Sequence, residues 1–439
     1  MTAYPDLLAP LPPATRRNII FAYNKLSAAG FECYLVGGAV RDLLLKRPAG
    51  DIDLTTNAHP EQVAALFRRT IPTGLQHGTI TVLLPDQKPR PGDADNQSDS
   101  FEITTYRAES AYSDGRHPDK VEFARTLNED LSRRDFTVNA VAWDPGSGRL
   151  IDLFGGLADL EARLLRTIGK AEERFFEDGL RTIRACRFAA TLEFDLELKT
   201  EMALRNQEIQ RRTAGVAVER FADELWKGFR APSVSPMIRR LEDSELLYLF
   251  FTDRPPPTGD EMCAELDRLD PRYPVVRMAV WWRGLRYTGD RARDLAKKLK
   301  FSNKHSRDIE WLQNYFSFCE RPFESDARGR GDLRLAGRSW LSRLKEVYGL
   351  EDGQRFLEQL RDDPRAPLPV ADLQKILESQ PLIVRDLAIN GGDLMRLGMS
   401  GPAIGENLRY LLKLVLADPA LNTKEALLGC LDRGRSESP

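Results

Sequence analysis

The chain has 439 residues and a formal net charge of only −2. At roughly 100–200 residues per domain, that length predicts two to four domains. The balanced charge excludes a polycation, so a nucleic-acid partner would have to meet a local basic face, because phosphate neutralisation dominates such affinity. The five cysteines (Cys33, Cys186, Cys263, Cys319, Cys430) lie far apart with no CxxC pair. That spacing argues against a disulfide framework or structural zinc and for a reducing cytosol.

The first residues, MTAYPDLLAPLPPATRR, carry no basic-then-apolar leader, and no window of about 18 apolar residues follows. A soluble, cytoplasmic protein with no membrane partner is the expectation. His59, His77, His117 and His305 show no HxxxH spacing, and GxSxG is absent, so histidine-bound metal and hydrolase chemistry lack support.

Residues 1–160 read as mixed α/β. Short apolar runs (YLVGG, TITVLL, FEITTY, AVAWD) alternate with helical patterns such as PEQVAALFRR. In YLVGGAVRDLLLKRPAGDIDLTT (34–56), Gly37 and Gly38 close a strand and open a helix with Val40, Leu43 and Leu44 as its apolar stripe. Such a turn is either a plain αβ connection or a phosphate cradle, in which backbone approaches the ligand and a helix N-terminus faces it. Arg41 in the first turn adds a guanidinium.

Read as a strand, DIDLT projects Asp51, Asp53 and Thr55 from one face, and Ile52 and Leu54 from the other. Same-face carboxylates repel unless a cation lies between them, and hard oxygen ligands beside phosphates suit Mg²⁺. A solvated pair at a strand end is the alternative. PDQKPRPGDADNQSDS (85–100) reads as a long exposed hairpin connection. On FEITTY, Glu102 points with Thr104 and Tyr106 and is a candidate third carboxylate. In LNEDLSRRDFTVNAVAWD (127–144), the RRD run by itself reads as a solvated charged face.

After about 160 the strand signals fade and helical spacing takes over, broken by Pro/Gly clusters at 231–236, 254–259 and 363–369. FFEDGLRTIRACRFAA (175–190), read as one helix, places Asp178, Arg181 and Arg184 as surface neighbours three residues apart. An exposed ion pair is the bland outcome.

In this combination the segments resemble the motifs of the class II tRNA nucleotidyltransferases, the bacterial CCA-adding and poly(A) polymerase family within the DNA polymerase beta superfamily. The resemblance is close over about the first 230 residues and looser in the tail. It implies an α/β nucleotidyltransferase head, a small mixed sheet with flanking helices, followed by an all-α neck, body and tail. The expected divisions are 1–158 for the catalytic head, 159–230 for the neck with its base-reading motif, 231–320 for the body and 321–439 for a tRNA-binding tail.

By family position, Gly37, Gly38 and Arg41 hold the triphosphate, and Asp51 and Asp53 hold metal, with Glu102 beside them. Arg134, Asp135 and Asn139 meet the ribose; Asp178 and Arg181 read the base, with Glu177 orienting Arg181, and Arg184 and Arg187 also touch the nucleotide. The implied activity is template-independent addition of CMP and AMP to the tRNA 3′ end from CTP and ATP with Mg²⁺.

PTGLQHGTITVLL (72–84) resembles the CCA-adding version of its segment and lacks the basic run of the poly(A) polymerases. FEITTYRAESAYSDGRHPDKVEF (101–123) resembles the flexible loop absent from CC-adding variants, which leaves A addition alone as the alternative. LIDLFGGLADLEARLLRTI (150–168) matches the family's head–neck link, its glycines serving either as a hinge or as a strand cap. VERFADELWKGF (218–229) matches the last head–neck motif, with Phe221, Leu225 and Trp226 as core. In the tail, the GxxGPxIG turn within 387–416 either presents amides to RNA phosphates or is a structural corner. Arg-rich 326–345 and Lys-rich 297–307 are the candidate basic face.

Overall fold

A computed structural model describes residues 2–74, 78–83, 100–107, 122–319, 327–359 and 369–436. The chain forms two compact units, one of residues 1–271 with 296–301, the other of 272–295 with 302–439.

In the first unit the apolar runs pair into one mixed sheet. Its strands are β1 (Thr2–Ala3), β2 (Cys33–Val36), β3 (Asp53–Thr56), β4 (Thr70–Gly74), β5 (Thr79–Leu83), β6 (Ser100–Thr105), β7 (Val141–Asp144) and β8 (Arg149–Asp152). The order is β1-β8-β7-β2-β3-β6-β5-β4. Every neighbour is antiparallel except β3 and β6, whose parallel register sets Asp53 opposite Glu102 and Thr55 opposite Thr104. β5 and β6 are antiparallel neighbours, as a hairpin connection requires; residues 84–99 between them, and 75–77 and 108–121, lie outside the described residues.

Alternation sorts the side chains of each strand between two faces. One face buries Cys33, Leu35, Leu54, Ile80, Val82, Phe101 and Ile103 beneath helices α1 (Pro13–Ala28), α2 (Gly38–Leu44) and α3 (Pro60–Leu66). Val40 and Leu43 of α2 are buried there, and Leu44 packs against them. Ile52 packs into the same cluster as Leu54, so Asp53 faces the other side. The strand itself begins only at Asp53, however. Asp51 is an exposed residue just before it, not the strand residue that the alternation of DIDLT predicts. On the opposite face, Val36, Ala140, Ala142 and Ile168 pack with Leu131 of α4 (Leu127–Ser132).

The link to the helical part is held by hydrogen bonds and close packing. Asp152 accepts from the backbone N–H groups of Gly156 (2.8 Å) and Leu157 (2.9 Å), capping α5 (Gly156–Glu161). A Cβ on Gly156 would lie 2.3 Å from the Thr137 carbonyl oxygen, so glycine is needed there for close packing.

Beyond it come α6 (Ala171–Glu177), α7 (Leu180–Leu192), α8 (Leu198–Leu204), α9 (Gln207–Ala214) and α10 (Val218–Gly228), with a two-strand pairing of Leu164–Leu165 and Asp195–Leu196 that the fading strand signal did not predict. The expected single helix over 175–190 is in fact two. Asp178 is extended (φ −137°, ψ 106°), and a Cβ on Gly179 would lie 2.7 Å from Thr213 Cα in α9. The chain breaks the helix to bring α9 against that glycine. Phe221 and Leu225 are fully buried; Trp226 is partly exposed and meets Phe301 edge-on at 5.9 Å.

The second unit is helical among its described residues. Pro274–Gly284 is apolar around almost its whole circumference and is buried accordingly. Residues 391–396 and 402–417 are helices joined through left-handed Gly398 (φ 80°) and Gly401 (φ 58°). They pack Leu394, Leu408, Leu411 and Val415 into a local core with Leu427. Two arginines of the expected basic face are spent internally. Arg338 donates to the Leu416 and Ala417 carbonyls (2.6 and 3.0 Å), and Arg343 pairs with Asp308 and Glu346. Among the described residues, no helix is long and apolar enough to cross a membrane.

Candidate active site

The glycine turn, the aspartates and the second motif meet at one point in the first unit. Gly37 has φ 75°, a left-handed conformation that favours glycine, and caps α2. A Cβ there would lie 3.0 Å from Arg134 Nη1 and 3.6 Å from Asp53 Oδ2. Burial pushes the Asp53 carboxyl above its ordinary value; Arg134 opposes that, while Glu102 and Asp51 add to it. Glu102 and Asp51 are therefore electrostatic neighbours of Asp53. Among the described residues, no three His, Cys, Asp or Glu side chains converge tightly enough to hold a metal ion on their own. The donor set suits a hard divalent cation that takes its remaining ligands from substrate and water.

Around this point runs a buried chain of ionic hydrogen bonds. Arg41, itself buried, donates through Nη1 to Asn139 Oδ1 at 2.6 Å and pairs with Asp42 at 2.8 Å. Asn139 donates to Asp135 Oδ1 (3.0 Å), and Arg184 donates through Nε to Asp135 Oδ2 (2.8 Å). Burial works against the charge of Asp135, but Arg184 and the Asn139 hydrogen bond outweigh it and hold the carboxyl down at about 2. Arg184 reaches on to Glu224 Oε1 at 3.5 Å, and Glu224 also binds Arg187 Nε. Arg134 is anchored by Asp130 (3.4 Å), a fully buried aspartate that also takes the Thr55 hydroxyl (3.3 Å) and the Arg107 amide (3.1 Å).

The base-reading candidates are arranged differently from the helical expectation. Glu177 Oε2 accepts from Arg174 (2.9 Å) and Arg181 (2.5 Å), and Arg181 also donates to the Arg174 and Arg133 carbonyls, both at 3.0 Å. Asp178 does not sit beside Arg181 on a helix face. Its two oxygens take a fork from Arg220 of α10, at 2.8 and 3.3 Å, and its Oδ1 caps the Leu180 amide.

Arg220, Glu224, Asp130 and Phe188 were missed as site residues. Arg220 and Glu224 stand four apart on one α10 face, a spacing visible in VERFADELWKGF but masked by its apolar stripe. Asp130 carried no signal beyond the charge run around it.

Comparison with known proteins agrees with this architecture. Residues 33–166 match the poly A polymerase head domain, and residues 279–431 match tRNA nucleotidyltransferase domain 2. The chain is 34% identical over 419 residues to a CCA-adding enzyme of Lactobacillus delbrueckii subsp. bulgaricus, covering 92% of this chain and 94% of that one. A CCA-adding enzyme of Streptococcus thermophilus is 34% identical, with 95% and 96% covered. Among solved structures, the Bacillus stearothermophilus CCA-adding enzyme in complex with CTP superposes with a TM-score of 0.67 at 28% identity, covering 97% of this chain and 99% of that one. The Thermotoga maritima CCA-adding enzyme complexed with tRNA shares the fold, with a TM-score of 0.55 at 21% identity and 97% of each chain covered. The chain belongs to the class II tRNA nucleotidyltransferases, the family of the bacterial CCA-adding enzymes.

Proposed function

We propose that this protein builds or repairs the CCA end of tRNA in the cytoplasm, adding CMP and AMP from CTP and ATP without a nucleic-acid template. The observation that carries this is the meeting of Gly37, Asp53 and Arg134, which brings a polyphosphate turn, a metal carboxylate and a ribose-side arginine within contact of one backbone position. The relatives matched over nearly the whole chain are CCA-adding enzymes, which disfavours addition of A alone, addition of CC alone and poly(A) synthesis.

In this proposal the head spans 1–158, the neck 159–230, the body 231–320 and the tRNA-binding tail 321–439. Gly37, Gly38 and Arg41 receive the triphosphate at the start of α2, where amide N–H groups favour anions. Asp51 and Asp53 hold Mg²⁺ with Glu102 alongside; bound there, the ion supplies Lewis-acid activation of the tRNA 3′-hydroxyl and neutralises the leaving pyrophosphate. Arg134, Asp135 and Asn139 position the ribose, and the Asp130 anchor keeps Arg134 from swinging away. Asp178 accepts from the amino group of cytosine or adenine while Arg181 donates to the ring nitrogen. Glu177 fixes Arg181, and Arg220 fixes Asp178. A site built to satisfy such groups rejects a base offering the wrong pattern by factors of about 10⁴. Arg184 and Arg187 complete the nucleotide contacts.

The test is incorporation of labelled CTP and ATP into tRNAs ending at the discriminator base, in C and in CC. Ordered addition to all three is expected; incorporation only into the CC-ended tRNA would instead establish an A-adding enzyme.

A further inference from the structure

Three arginines of the nucleotide site converge on one aromatic ring. The Phe188 centroid lies 5.3 Å from the guanidinium carbon of Arg41, 5.1 Å from that of Arg184 and 3.8 Å from that of Arg187. The arginines come from two elements, α2 beside the glycine turn and α7 of the neck. Phe188 is itself buried and held edge-on by fully buried Phe136, with centroids 5.8 Å apart and planes at 78°.

A guanidinium can be fixed in two ways. Hydrogen bonds hold its edge and consume N–H donors; an aromatic face holds its plane by attraction to the π-cloud and consumes none. Arg187 shows the difference. Its Nε is given to Glu224, its guanidinium carbon lies over the Phe188 ring, and its two terminal nitrogens have no hydrogen-bond partner among the described residues. Each carboxylate contact consumes N–H donors that a nucleotide could otherwise meet, and an aromatic face consumes none. Asp42, Asp135 and Glu224 take part of each guanidinium edge, and the ring supplies the rest of the restraint.

We propose that Phe188 is a positioning residue for the incoming nucleotide: its ring orients Arg41, Arg184 and Arg187 as one preassembled group while leaving N–H donors for the substrate. The proposal rests on the nucleotide-site assignment above and adds a residue that neither the glycine turn nor the base-reading pair contains. It predicts that binding of nucleotide depends on the electron density of the ring and not merely on its volume.

The experiment replaces Phe188 in the full chain by phenylalanines carrying one, two and three fluorines, which drain the π-face at nearly constant shape. KM for CTP and ATP should climb stepwise with fluorine number to about tenfold, with KM for tRNA and the melting temperature unchanged. Phe188→Leu should reproduce the rise, and Phe188→Tyr should stay within about twofold of wild type, because it keeps the ring. A flat fluorine series, or nucleotide and tRNA KM values rising together, overturns the proposal. Wild-type incorporation assayed in parallel separates the two claims. If it is absent, the functional assignment fails; if it is present beside a flat series, only the role of Phe188 fails.

Discussion

Asp53 and Asp135 lie in the same compact unit, and burial pushes both carboxyl groups toward the neutral form. At Asp135 the push loses to Arg184 and Asn139, and the group sits at about 2. At Asp53 it wins, because the help from Arg134 and Arg107 is offset by Glu102 and Asp51. Asp130 follows Asp135, its burial outweighed by Arg134 and Arg133 so that its carboxyl is held low. A carboxylate whose task is to fix an arginine comes already paired. Asp53, the carboxylate proposed for the metal, keeps a raised value instead.

The contrast can be broken most directly at Asp53. Asp53→Ala should lower nucleotide incorporation by about 10³-fold or more, the loss expected when charge stabilisation at a reacting centre goes, with tRNA binding in a filter assay largely retained. Turnover that survives would remove the metal assignment. The same residue carries a stability signature of opposite sign. Because its folded-state value is raised, the folded protein holds this proton longer than the unfolded chain, and stability falls as pH rises through that window. Asp53→Asn, measured without Mg²⁺ at neutral pH, should therefore raise Tm relative to the wild type.

Asp135→Asn should do the reverse, leaving half-buried Arg184 with only its longer contact to Glu224 and costing about 1–3 kcal/mol in urea denaturation. In the wild type this contribution is present above the ordinary carboxylate range and is lost as pH falls toward about 2. A stability curve flat over that acid range in the wild type would show that Asp135 is not held low.

Asp178→Ala should blur selection of C and A over U and G by about 10²-fold, read from competing nucleotides; unchanged preference would remove its base-reading role. Arg220→Ala should blur it by only about tenfold, since the carboxylate remains but loses its fork. Smallest is Glu102→Gln, expected to slow incorporation by a few-fold, within about tenfold, because Glu102 is exposed and stands beside Asp53 without being paired to it. A loss as deep as that of Asp53→Ala would promote Glu102 to an equal partner.

Much of the sheet was legible from period-two patterning. The runs around Leu35, Ile80, Ile103 and Ala142 all became strands, and Ile52 and Leu54 went to the buried face as alternation demands. The helix break at Asp178 was not legible. Helical spacing continues through FFEDGLRTIR, and only the approach of Thr213 to Gly179 decides that the chain must turn there. Pairing partners were also out of reach. Asp178 with Arg220, and Arg187 with Glu224, are 42 and 37 residues apart, separations over which a sequence carries no geometric information.

Local chemistry thus determined which residue types stood ready: a left-handed glycine opening a helix, alternating aspartates, a charge-rich neck. These follow from backbone sterics and side-chain period, which act over a few residues. Tertiary structure decided which charges would be neutralised. The parallel pairing of β3 with β6 sets Glu102 beside Asp53, while the approach of α7 and α10 pairs Glu224 with Arg184 and Arg187, and Asp178 with Arg220. Electrostatic fate depends on neighbours in space, and only the folded chain chooses them.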